Sequence, residues 1–146
     1  MLFQLNYKGF LCNFVFIENL KETLNLGTKL SHKLNPKSIV LLQGPIGAGK
    51  TSFVQGIAKG LSISEDITSP TFALSHHYKS GKIPLIHLDL YRLEDISSAK
   101  EVFFSEEEEA VQSKAILVIE WPELIEPIIE NFWKITISYA KNYGRH

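Results

Sequence analysis

The stretch that most constrains this chain is "GPIGAGKTS", residues 44 to 52, directly after the apolar run "SIVLLQ". Gly44, Gly49, Lys50 and Thr51 satisfy G-x-x-x-x-G-K-[ST], the pattern of a loop that cradles phosphate. Its backbone N–H groups and the helix that follows must converge on an anion, which requires residues that allow close approach and positive φ; Gly44, Gly47 and Gly49 supply them. Lys50 then neutralises the β- and γ-phosphates, and the Thr51 hydroxyl is placed to hold Mg²⁺. A buried strand before the loop and a helix after it are the required context. "SIVLLQ" reads as the strand, and "GKTSFVQGIAKGL", with Phe53, Ile57 and Leu61 on one face, as the helix.

The rest of the chain fits around that unit. "MLFQLNYKGFLCNFVFI" reads as a short N-terminal strand, and "NLKETLNLGTKLSHKL" as a helix with Leu20, Leu24, Gly27, Leu30 and Leu34 on its apolar face. Asn19 is its cap and Glu22 stands at the capping-box position. "SPTFALSHHY" is a turn leading into a strand, "KSGK" a reversal, and "IPLIHLDL" the next strand; "AILVIEW" and "WKITISY" are two more. Strands interleaved with helices predict one α/β domain over residues 1–146: a P-loop NTPase-like three-layer sandwich, its central sheet mostly parallel with antiparallel additions.

Bulk properties exclude several functions. With 15 basic and 16 acidic side chains the chain has no charge excess with which to grip a polyanion, so contact with nucleic acid is expected through a partner. No segment has the roughly 20 apolar residues of a membrane helix. One cysteine, Cys12, supports neither a disulfide nor a zinc site, and a cytoplasmic setting is expected.

A phosphate cradle needs an acid for the metal and a group that orients water. Asp89 and Glu120 each end an apolar strand, where an open α/β sheet puts its ligand crevice, and residue chemistry leaves the two roles interchangeable between them. Thr71, in the proline-stiffened "SPTF", is a candidate γ-phosphate or Mg²⁺ sensor. His87 shares a strand face with Asp89 and suits a structural hydrogen bond as well as catalysis. Trp121 suits adenine stacking, an interface or the core. His76 and His77 lack a ligand set for a metal, and the run Glu106 to Glu109 reads as a solvated acidic surface or a docking patch for a basic partner.

Absences narrow the class. Small-molecule kinases clamp phosphorylated partners with several arginines on a mobile lid, and this chain has two arginines in all, Arg92 and Arg145. A guanine reader of the N-K-x-D type is missing. What remains is a compact ATPase acting with a partner, with a small-molecule kinase or a nucleotide-dependent binding module without turnover as the alternatives.

In order and spacing, "GPIGAGKTSFVQGIAKGL", "SPTFALSHHY", "HLDLYRLED" and "IEWPE" resemble the TsaE (YjeE) family, from about Asn19 to Tyr139. The resemblance implies ATP and Mg²⁺, weak hydrolysis in isolation, and a part in threonylcarbamoyladenosine modification of tRNA at adenosine 37. It implies two partners: the threonylcarbamoyl-transferase subunit and its paralogous dimerisation partner, with tRNA reached through their complex. By position, Gly44, Ile46, Gly47, Ala48, Gly49, Lys50, Thr51 and Ser52 form the phosphate loop, Ser69 to Thr71 a first switch, and His87 to Arg92 a second. Asp89 becomes the base or water positioner and Glu120 the acid on the Mg²⁺ side, with Trp121 beside it; the reverse assignment of the two acids also fits. Two departures stand out. Pro45 replaces a frequent aspartate and contributes no N–H, and "EVFFSEEEE" stands where relatives often have a glycine-containing step.

Overall fold

A computed structural model describes residues 1–7 and 11–139. The elements in chain order are β1 (Leu2–Tyr7), β2 (Leu11–Phe16), α1 (Leu20–Ser31), β3 (Ile39–Gln43), α2 (Lys50–Gly60), β4 (Ser75–Tyr78), β5 (Leu85–Asp89), α3 (Ile96–Ser113), β6 (Ile116–Glu120) and β7 (Trp133–Ser138), with a 3₁₀ turn at Glu126–Ile128 before β7. One seven-stranded sheet has the order β2-β1-β7-β3-β6-β5-β4. Its centre is parallel, through β7 with β3, β3 with β6 and β6 with β5. The antiparallel pairs lie at the two ends: β1 with β2 and β7, and β4 with β5.

The period-2 alternation of the buried strands builds a core on each face of the sheet. Val40, Leu42, Ile116, Val118 and Ile135 join Phe53 and Ile57 of α2 and Leu30 of α1 on one side. Leu41, Leu117, Ile119, Ile86 and Leu88 meet Ala99, Phe103 and Ala110 of α3 on the other. Helix, sheet and helix are the three layers expected, and the parallel centre with antiparallel ends agrees as well.

The N-terminal reading needs correction. The apolar stretch expected to form one strand forms two, paired in register from Leu2 with Phe16 to Tyr7 with Leu11. Seventeen residues are too long for an ordinary strand, and Lys8-Gly9 between the two halves carries a turn signal that the continuous apolar character hid.

Helix α1 starts as expected: the Asn19 carbonyl oxygen Oδ1 accepts from the Glu22 N–H at 2.9 Å. The Glu22 carboxylate reaches one residue further back than a standard capping box and accepts from the Glu18 N–H at 2.7 Å. Its buried face is Thr23, Gly27, Leu30 and Ser31, while Leu20, expected on that face, is 59% exposed. The reason is that α1 packs very closely on α2. A Cβ on Gly27 would collide with the Phe53 carbonyl oxygen, and one on Gly56 with that of Leu24. Small residues permit the approach, and the Thr28 hydroxyl donates to the Gly56 carbonyl across it at 3.0 Å.

Candidate functional site

Strands β3, β6 and β5 lie side by side and end together at Gln43, Glu120 and Asp89, with Leu42 opposite Glu120 and Glu120 opposite Asp89 in the ladders. The loop leaving β3 carries the glycines. Gly47 (φ 79°) and Gly49 (φ 101°) are both left-handed, a conformation that costs a residue with a side chain on the order of 1 kcal/mol or more. Gly49 is the N-cap of α2 and provides no side-chain cap. The other two α-helices are closed by side chains, α1 by Asn19 and α3 by Asp95, whose carboxylate accepts from the Ser98 N–H at 2.8 Å. Among the described residues the first N–H groups of α2 thus have no side-chain cap, and the helix dipole points its positive end at the same place. That is the arrangement a phosphate group fits.

A cleft of about 410 Å³ opens there, lined by Ile46, Gly47, Gly49, Lys50, Thr51 and Ser52 from the loop and α2, by Ser69 and Thr71, and by Asp89, Tyr91, Glu120 and Trp121 from the strand ends. Two residues of the expected loop set do not line it. Ala48 is buried in the core, and Gly44 acts through its carbonyl oxygen, which accepts from Lys50 Nζ at 2.6 Å. The Pro45 carbonyl accepts from the same ammonium at 2.9 Å, so the residue that lacks an N–H still contributes to the loop. Burial pulls the Lys50 ammonium below its ordinary pKa of 10.5, opposed by the carboxylates of Glu120, Asp89 and Glu123.

The acids are held differently. Asp89 is tied to both candidate switches: Thr71 Oγ1 donates to Oδ2 at 2.8 Å, and the Tyr91 N–H donates to Oδ1 at 2.9 Å. The hydroxyls of Ser69 and Thr71 lie 2.8 Å apart. Thr71, expected as a ligand sensor, therefore has its hydroxyl engaged with Asp89. Glu120 Oε2 lies 2.5 Å from His87 Nε2 in a buried contact. The Trp121 ring covers Lys50 Nζ at 4.4 Å from its centroid and packs on Tyr91 at 4.8 Å. Trp121 is also left-handed (φ 57°), an uncommon conformation for a bulky residue.

Outside the cleft, Arg92 does not line the site; its guanidinium lies 4.9 Å from the ring centroid of Phe72, which is 84% exposed. The acidic run is not wholly solvated. Glu106 accepts from Ser75 at 3.3 Å and meets His77 Nε2 at 2.6 Å, fastening α3 to the edge strand β4. His76 Nδ1 lies 3.2 Å from the Tyr78 hydroxyl. Among the described residues no group of His, Cys, Asp and Glu is arranged to hold a metal without a further ligand. Tyr91, within the expected second switch but not singled out there, also lines the cleft. Its signal was its place directly after "HLDL", where the chain turns at the strand's end.

A parallel sheet that delivers a left-handed glycine loop, an uncapped helix and two strand-end acids to one cleft makes this a P-loop NTPase-like protein. The family model described as "Threonylcarbamoyl adenosine biosynthesis protein TsaE" matches residues 17–146. The tRNA threonylcarbamoyladenosine biosynthesis protein TsaE of Nostoc sp. is 41% identical over 133 residues, covering 90% of this chain and 81% of that protein. Its counterpart from Treponema pallidum is 41% identical over 118 residues, covering 81% and 84%. The crystal structure of Bacillus subtilis YdiB has a TM-score of 0.60 and 26% identity, over 87% of this chain and 70% of that one. The chain belongs to the TsaE family. Among the described residues no helix is long and apolar enough to cross a membrane.

Proposed function

We propose that this chain is a Mg²⁺-dependent ATPase in the threonylcarbamoyladenosine modification of tRNA, weak alone and stimulated by the threonylcarbamoyl-transferase subunit and its paralogous dimerisation partner. The observation that carries the reading is the pairing, in one cleft, of an uncapped helix N-terminus at Gly49 with the acids Asp89 and Glu120 opposite. The α2 N–H groups bind phosphate oxygens. Lys50 exchanges its bonds to the Gly44 and Pro45 carbonyls for the β- and γ-phosphates. Thr51, Glu120 and Asp89 are hard oxygen donors of the kind Mg²⁺ prefers, and they would hold it at the phosphates. When bound, the ion neutralises phosphate charge. Asp89, oriented from both sides by Thr71 and the Tyr91 N–H, orients the attacking water.

Lys50 is the one cation among the described lining residues of the cleft. Charge that grows on the transferring phosphoryl group thus has little positive charge to meet in the isolated chain, and a docked partner can add some. The formal net charge of −1 leaves tRNA to that complex.

The test is phosphate release from Mg²⁺-ATP by the purified chain, alone and with both partner proteins added. Stimulation that disappears in Lys50→Ala is the expected result. Tight ATP binding without stimulation would favour a nucleotide-gated binding module, and transfer of phosphate to a small acceptor would make the chain a kinase.

A further inference from the structure

We infer that His87 is a positioning residue for Glu120, an inference that rests on the hydrolysis proposed above. His87 lies inside β5 with no exposed surface, 33 residues from Glu120 in sequence. The β5–β6 register sets His87 opposite Val118 and Asp89 opposite Glu120, so His87 and Glu120 are diagonal neighbours on one face. Nε2 of the ring meets Oε2 of the carboxylate at 2.5 Å, while Nδ1 is buried with no hydrogen-bond partner among the described residues.

That orphan decides which nitrogen carries the proton. A proton on Nδ1 would be a buried donor without an acceptor, whereas a bare Nδ1 lone pair is the better tolerated of the two vacancies. A proton on Nε2 is also the one that can be donated to a carboxylate. A proton moved onto Glu120 and donated back to Nε2 fails for the same reason, because the neutral ring would then carry its hydrogen on Nδ1. The geometry therefore selects the Nε2–H tautomer donating to Glu120 Oε2.

Two consequences follow for Glu120. Its side chain is held in one orientation, and with Oε2 engaged, Oε1 is the oxygen left for the cleft that Glu120 lines with Lys50 and Thr51. For packing alone an imidazole is a poor choice, since leucine or methionine would fill the same core without an orphaned polar atom. The ring is accounted for by the donor it presents.

The test separates the donor from the volume. His87→Asn places its amide near the Nδ1 position, short of Glu120; His87→Gln places its amide nitrogen near that of Nε2; His87→Leu keeps bulk without a donor. With ATP, Mg²⁺ and the partners present, kcat is expected to fall by roughly 10²-fold in the Asn and Leu variants, the scale of a misplaced catalytic group. KM for ATP and the affinity for ADP should stay within about twofold of wild type, since the phosphate loop is untouched. The Gln variant should recover most of the loss, and His87→Asn should cost nothing further in a Glu120→Gln background. Wild-type kcat in both the Asn and Leu variants would overturn the inference, as would a loss of ADP affinity equal to the loss of kcat. A readout independent of turnover is the ¹⁵N spectrum of histidine-labelled protein, with the His87 signal assigned by its loss in the Gln variant. An Nε2–H tautomer whose signal moves in Glu120→Gln is expected, and an Nδ1–H tautomer would refute the inference. If the wild-type chain never hydrolyses ATP, the ATPase reading fails and this spectrum still decides the fate of His87.

Discussion

Lys50 shows what a buried ammonium costs the fold that carries it. Its ammonium is buried and satisfied by two carbonyls, and desolvation outweighs the attraction of Glu120, Asp89 and Glu123, so its pKa is lowered in the folded chain. A lowered base means that the unfolded chain binds more protons between that lowered value and 10.5. This residue's contribution to stability therefore rises with pH across that window and is least favourable below it. Lys50→Met should abolish phosphate release and leave the fold as stable as wild type or more so at pH 7. The advantage should shrink as the pH approaches 10.5, which urea unfolding of both proteins from pH 7 to 10 would measure. Thr71 acts at the same scale. Thr71→Val removes the donor to Asp89 Oδ2 and leaves the Tyr91 N–H on Oδ1. Hydrolysis should fall about 10-fold or more, as expected for a misplaced group, for a stability cost of about 1 kcal/mol; partner-stimulated phosphate release and thermal unfolding report the two effects separately.

At the scale of elements, the α1–α2 crossing fixes where the phosphate loop sits. Alanine for glycine within a helix ordinarily gains about 1 kcal/mol from propensity. At Gly56 that gain is overridden, because the new methyl group meets the Leu24 carbonyl oxygen and the helices must separate. Gly56→Ala should destabilise the chain by about 1–3 kcal/mol in urea. It should also weaken ADP binding in calorimetry, since α2 begins at the loop. The same crossing marks a limit of reading from sequence. Hydrophobic spacing located both helices and the apolar face of α2, but it put Leu20 on the buried face of α1 and could not see that Thr23 and Ser31 belong there, because it counts large apolar groups and is blind to close approach. The site divides in the same way. The glycine loop was legible because the residues it needs lie within a few positions of one another. The Thr71–Asp89 and His87–Glu120 bonds span 18 and 33 residues and exist only through the strand order and register, which no local pattern encodes.

For the whole molecule the question is what the N-terminal hairpin contributes. The family match begins at residue 17, beyond β2, yet β1 inserts between β2 and β7 and sends Phe3 into the core under α2. Phe3 has no exposed surface, and its ring lies 5.7 Å from that of Phe53, in the first turn of the helix that opens at the phosphate loop. On the opposite face of the same hairpin, Phe14 and Phe16 are 57% and 61% exposed. If the hairpin belongs to the cooperative unit, these phenylalanines must behave oppositely. Phe3→Ala should cost about 3–5 kcal/mol in equilibrium urea unfolding, through lost transfer energy and the cavity left against Phe53. It should weaken ADP binding as well, because Phe53 anchors the start of α2. Phe14→Ser and Phe16→Ser remove mostly hydrated surface and should each change stability by no more than about 0.5 kcal/mol. A cost below about 1 kcal/mol for Phe3→Ala would mean that the hairpin unfolds on its own and that the sheet from β7 to β4 carries the phosphate loop without it.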